Sequence, residues 1–140
     1  MHTETPSKKQ IGNKFEDYTV KWLLENDHKI LKRNYSVKHK EIDIIALKKD
    51  TICFVEVKSE QITEENSNRD DPPQKITNKK IRNIILAAKD YLYELKKNDV
   101  DPHTFNYRFD GVEILFDNEY NVCEFKYFEG LYTVDEESLF

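Results

Sequence analysis

The stretch from Glu41 to Lys58 constrains this chain more than any other. It reads Glu41-Ile-Asp43-Ile-Ile-Ala-Leu-Lys-Lys-Asp-Thr-Ile-Cys-Phe-Val-Glu56-Val-Lys58, two apolar runs around the polar pair Lys49-Asp50. Short runs rich in β-branched and aromatic residues form strands rather than helices, so a β-hairpin is expected. A turn centred on Lys49 and Asp50 sets Lys48 opposite Thr51, Asp43 opposite Glu56 and Glu41 opposite Lys58. Side chains alternate with period two, so these four charged groups share one face. Ile45, Leu47, Ile52 and Phe54 continue that face, while Ile42, Ile44, Ala46, Val55 and Val57 make the other. Both faces are apolar over part of their length, as in a sheet covered on two sides. Two carboxylates directly opposite each other repel at cross-strand distance unless a cation lies between them. The charged end of the hairpin is therefore open to two readings, a solvated polar rim and a metal site.

Helices are expected on either side of this hairpin. Ile11, Phe15, Tyr18 and Trp22 recur at helical spacing, predicting a helix from Ser7 to about Asp27. Glu16 falls at the border of that stripe, as an ordinary boundary glutamate or as a carboxylate overhanging the sheet. A strand is expected from His28 to Val37, and a polar loop from Glu60 to Pro73. Starting at Pro73 or Thr77 and running to about Lys97, a second helix carries Ile81, Ile84, Ile85, Ala88, Leu92 and Leu95 as its core stripe. Lys75, Lys79, Arg82, Lys89 and Lys96 line up beside the stripe, as a solvated face or as a track for a phosphate backbone. Strands from Phe105 to Phe116 and Val122 to Phe128 follow, then an acidic, loosely held tail, 129–140. The order α-β-β-β-α-β-β gives an α/β fold: a mixed sheet of about five strands with helices packed on it, the second helix crossing over between the third and fourth strands. At 140 residues this is most simply a single domain, with its core at about 8–128.

Composition narrows the class. With 35% charged residues and few glycines and prolines, the chain is expected to be soluble and globular. No run approaches the roughly 20 apolar residues of a membrane span, and the N-terminus lacks an apolar signal segment. Cys53 and Cys123 lie in strand-like runs, which fits a reduced, cytoplasmic protein. The net charge of −5 runs against a nucleic-acid footprint, which is normally basic. The charges are segregated, however, with acids at 60–71 and 135–137 and bases on the two helices.

Taken together these pieces resemble the restriction-endonuclease-like superfamily, with its acidic residue, Asp and Glu-x-Lys pattern. More closely, the chain resembles the YraN-type family of small bacterial endonuclease-like proteins, related in fold to archaeal Holliday-junction resolvases. The match runs over Gly12 to Phe128. It rests on Gly12-Asn-Lys-Phe-Glu16, Arg33-Asn34-Tyr35, Glu41-Ile-Asp43-Ile-Ile-Ala46 and Phe54-Val-Glu56-Val-Lys58, with a lysine at Lys79 or Lys80 and Arg108-Phe-Asp110. Lys40 and Glu60 depart from it, since relatives often have Gly and a basic residue there.

The resemblance implies a Mg²⁺- or Mn²⁺-dependent endonuclease. Asp43 and Glu56 would be direct ligands, the Val57 carbonyl a third, and Glu16 would act through water or on a second ion. Lys58 would orient or deprotonate the attacking water, or stabilise the pentacovalent charge. Lys75, Lys79, Lys80, Arg82 and Lys89 would contact nucleic acid, most simply branched or damaged DNA, and related resolvases suggest a homodimer. Two other classes remain, a non-catalytic nucleic-acid-binding or assembly module and a plain interaction protein with structural charges.

Overall fold

A computed structural model describes residues 5–67 and 76–140. Helix α1 (Lys8–Glu25) leads into strands β1 (Lys29–Val37), β2 (Lys40–Lys48) and β3 (Thr51–Gln61); helix α2 (Asn78–Lys97) precedes β4 (Asn106–Phe116) and β5 (Val122–Tyr132). The five strands form one sheet in the order β1-β2-β3-β4-β5. Among the described residues only the β3–β4 pair is parallel, and α2 lies in the connection between them. A parallel neighbour cannot be reached by a tight turn, so the helix in this position follows from the topology.

Each helix forms where its sequence supplies a cap and a stripe. Ser7 Oγ accepts the Gln10 N–H at 3.1 Å while Gln10 Oε1 accepts the Ser7 N–H at 2.7 Å, a reciprocal capping box that starts α1. At α2 the Thr77 hydroxyl accepts the Lys80 N–H at 3.2 Å. The sheet is covered on both sides, as the two apolar faces of the hairpin require. Phe15 and Leu23 of α1 pack on Ile44, Ala46, Cys53 and Val55. Ile84, Ala87, Ala88, Tyr91 and Leu92 of α2 pack on Ile45, Ile52 and Phe54.

The central hairpin has the expected register, from Lys48↔Thr51 to Ile44↔Val55. Its two-residue turn forms without glycine, because Lys49 takes the left-handed region at φ +54°. Two departures matter. Pairing stops at Ile44↔Val55, one step short of Asp43 and Glu56. Ile42 packs with the α2 cluster instead of with Ile44. The break in alternation coincides with Asn34 on β1, whose φ is +50° between the Arg33↔Ile44 and Tyr35↔Ile42 pairs.

The C-terminal expectation needs correction. β5 continues to Tyr132, which pairs with Phe109, and a short 3-10 helix (Glu136–Leu139) returns Leu139 to the α2 cluster at 3% exposure. An apolar residue at the end of an acidic run had a place in the core, and charge-based reading overlooked it.

Candidate active site

The break in the hairpin is where the carboxylates gather. With the ladder ended, Asp43 turns its side chain onto the backbone, and Oδ2 accepts the Val57 N–H at 2.8 Å. This bond replaces a missing ladder bond and fixes Asp43 beside Glu56. Both acids line a cavity of about 400 Å³ between the sheet end and the start of α2, with Glu41, His39, Lys79 and Lys80 around them. Glu16 lies near these acids but does not line the cavity. It follows the buried Phe15 on α1, is half-buried, and lies in the field of Asp43 and Glu41. Asn34 ties the group together: with its amide nitrogen toward the acids, it donates to Glu16 Oε1 and Glu41 Oε1, both at 3.0 Å. Arg33 binds Asp17 at 2.6 Å, holding α1 to β1 nearby.

Electrostatics here favour an added cation. Burial, then the Asp43 charge, pushes the Glu16 carboxyl up to about 7 from its usual 4.5. Glu56 is raised by burial and Asp43, with Lys80 pulling the other way. Asp43 is raised by burial and by Glu41, although the Val57 N–H bond opposes the shift. Withdrawal from water and mutual repulsion are both relieved by a positive ion.

A pH dependence follows from these shifts. A carboxyl raised from about 4.5 to 7 keeps, in the folded state, a proton that the unfolded chain releases. Without divalent ions, that contribution to stability is present below pH 4.5 and declines as pH rises through 7. His28, lowered by burial, acts with the opposite sign as pH falls below about 6.5. The diagnostic quantity is therefore a difference. In chelator, the melting temperatures of Glu16→Gln and Glu56→Gln should gain on wild type by a few degrees between pH 5 and pH 8, roughly a kcal/mol at this chain length. Parallel pH curves for wild type and both variants would remove the electrostatic argument.

The donor chemistry fits a hard divalent ion. Glu41, Asp43 and Glu56 bring carboxylate oxygens to this cavity, with His39, Thr77 and Asn83 as its other side-chain donors. Among the described residues, no three His, Cys, Asp or Glu side chains already form a ligand cage. Mg²⁺ is commonly bound by one or two carboxylates and completes its shell with water and substrate phosphate. Asp43 and Glu56 would hold it.

The basic residues divide differently from the sequence expectation. Lys58 meets Glu60 at 3.2 Å and lines a neighbouring cavity with Glu56. The ammonium at the carboxylates belongs to Lys80, whose Nζ lies 2.9 Å from Glu56 Oε2. Lys79 lines the same cavity, whereas Arg82 and Lys89 are exposed further along α2 with Leu86 and Tyr93. Lys75 lies outside the described residues. Sequence reasoning missed the contact between Lys80 and Glu56 and the bridging role of Asn34. Both left a signal: Lys80 stands three residues after the Thr77 cap, in the first turn, and Asn is among the residues that most readily take a left-handed φ.

Comparison with known proteins places the chain among close relatives. The model of the Uncharacterised protein family UPF0102 matches residues 15–114. A UPF0102 protein of Chlorobium phaeobacteroides is 37% identical over 105 residues, covering 75% of this chain and 76% of its own. Another, from Clostridium perfringens, is 36% identical over 128 residues, covering 90% and 96%. Among solved structures, Pyrococcus furiosus SfsA in complex with Ca²⁺ aligns with TM-score 0.37 and 20% identity, over 88% of this chain and 64% of that one. No helix among the described residues is long and apolar enough to cross a membrane.

Proposed function

This chain belongs to the UPF0102 (YraN-type) family, and we propose that it is a divalent-metal-dependent endonuclease that hydrolyses phosphodiester bonds in DNA. One observation carries the reading. Asp43 and Glu56 are brought to one cavity, both raised by burial and by neighbouring negative charge, with the lysines of α2 at its mouth.

Each residue has a task in such a reaction. Asp43, fixed by the Val57 N–H, and Glu56 form the cradle. Mg²⁺ or Mn²⁺ bound there supplies charge neutralisation and Lewis-acid activation of water and phosphate. Lys80 can neutralise a phosphate at the mouth, because its Nζ already lies 2.9 Å from Glu56. Lys79 adds a second positive charge at the same rim. Glu16, raised by burial and the Asp43 charge, stands within the same field, where it would act on the ion through water or on a second ion.

Calorimetric titration with Mg²⁺ or Mn²⁺ tests the cradle. Wild type should bind the ion and Asp43→Ala should not; equal heats from both would reject it. A panel of branched and linear DNA incubated with Mn²⁺ then tests the chemistry. A second reading, a non-catalytic nucleic-acid module, draws on one observation: the Lys58 ammonium is engaged by Glu60. That reading predicts salt-dependent DNA binding with no cleavage of any substrate in the panel.

A further inference from the structure

Beside the acidic cavity lies a second one of about 320 Å³, and the two share Glu56 and Lys80 as a common wall. Its chemistry is different. Ile76, Val112, Phe128 and Leu131 give it an apolar interior, while Lys58 and Lys80 stand at its polar side.

The cavity is built by an irregularity in β5. The register moves from Gly111↔Phe128 to Phe109↔Tyr132, so β5 spends two more residues than β4 over this interval. Gly130, at φ +60°, permits the excursion, and its N–H is held by Asp110 Oδ1 at 2.9 Å. The excursion folds Leu131 over Gly111, where an added Cβ would lie 2.6 Å from Leu131 Cδ2. Gly111 pairs with Glu56 on one side and with Phe128 on the other. The glycine therefore lets Leu131 pack over the strand between Glu56 and Phe128, and Leu131 forms part of the apolar wall of the cavity. Bulges of this kind re-aim side chains next to functional sites.

Resting on the nuclease reading, we infer that this second cavity receives an unpaired nucleobase adjoining the phosphate held at Asp43 and Glu56. A nucleic-acid strand alternates an anion with a flat heterocycle, and the adjoining cavities offer cations and an apolar chamber in the same alternation. A base stacked inside a continuous duplex cannot enter without leaving its stack. The substrate class is accordingly DNA with unpaired nucleotides, such as single strands or the open centres of branched structures.

The test separates base from phosphate. Binding is measured by fluorescence anisotropy with Ca²⁺ in place of Mg²⁺ for oligo-dT, for an abasic oligomer with the same number of phosphates, and for duplex, with each oligomer checked to be intact afterwards. Wild type should prefer oligo-dT to the abasic oligomer by about 5–100-fold, the usual worth of base contact with an aromatic side chain. Phe128→Ala, which removes the contact, and Ile76→Trp, which fills the chamber, should each bring that ratio toward one. Abasic binding and melting temperature should stay near wild type in at least one of them. Equal binding of oligo-dT and abasic oligomer, or a ratio that survives both variants, overturns the base cavity while leaving phosphate binding intact. Absence of binding to every oligomer at low salt overturns the nuclease reading itself.

Discussion

Glu56→Gln is expected to lose divalent-ion binding and DNA cleavage together, the latter by about 10²–10⁴-fold, the range of a lost acid–base or electrostatic contribution. The amide keeps the size of the side chain and removes the negative charge that a hard ion requires. Lys80→Met should divide the two properties. Its ammonium sits 2.9 Å from Glu56 Oε2 and competes with any arriving cation. The side chain is 57% exposed, so the pair is weak, and Mg²⁺ affinity should rise by no more than about fivefold. Cleavage should nevertheless fall, because the positive charge facing the phosphate is gone. Lys58→Ala is the informative control. The resemblance assigns Lys58 the catalytic role, whereas its contact with Glu60 leaves Lys80 as the lysine touching the acids. A larger rate loss in Lys58→Ala than in Lys80→Met, measured at saturating Mn²⁺, would return the role to Lys58. Full activity in Glu56→Gln would end the metal-cradle reading.

The hairpin and the helix stripes were readable because they depend on short-range periodicity. Ile84, Ala88 and Leu92 of α2 declare their buried face without any knowledge of the partner strand. Of the stripe expected on α1, by contrast, Phe15 is buried, Ile11 and Trp22 are partly buried, Tyr18 is 43% exposed, and the buried Leu23 lies outside it. The Lys48↔Thr51 register follows in the same way from two polar residues between apolar runs. Leu139 was different. Its burial depends on where β5 leaves the chain relative to α2, a long-range fact with no local period.

The candidate site was legible in its residue types and less so in its geometry. Period two places Asp43 and Glu56 on one face, and they do share a cavity. Their approach, however, is set by a ladder that ends early and by a side-chain bond from Asp43 to the Val57 N–H. Strand counting cannot foresee such an ending, because the carboxylate competes locally with the ladder for a backbone donor. The choice between Lys58 and Lys80 has a similar origin. Glu60 lies two residues beyond Lys58 on the same strand face and captures it, while the Thr77 cap starts α2 so that Lys80 reaches Glu56. The lysine nearest in sequence to the acid pair is not the one nearest in space.

The largest expected loss of stability lies at Asp110. Its carboxylate is 1% exposed and fully engaged. Arg108 donates from Nε at 2.8 Å and from Nη2 at 3.0 Å, Tyr127 donates its hydroxyl, and Gly130 donates its N–H at 2.9 Å. Tyr127 in turn stacks on Trp22 of α1 with ring centroids 4.6 Å apart, so one carboxylate joins β4, the β5 excursion and a helix. A buried ion pair adds little over a well-packed apolar pair, but removing one partner strands the other charge. Asp110→Ala leaves the Arg108 guanidinium with Cys53 Sγ at 3.3 Å and the exposed Glu129 at 3.6 Å. The expected cost is about 3–5 kcal/mol, a large share of the 5–15 kcal/mol typical of a domain. In a thermal melt that corresponds to a fall on the order of 10–15 °C. Arg108→Met combined with Asp110→Leu should recover most of it, since no charge is then left buried. If Asp110→Ala costs less than about 1 kcal/mol, the network is ornamental to stability. The double variant also isolates function from folding. With the Gly130 N–H no longer held, the β5 excursion relaxes, and the preference for oligo-dT over the abasic oligomer should shrink even in the restabilised protein.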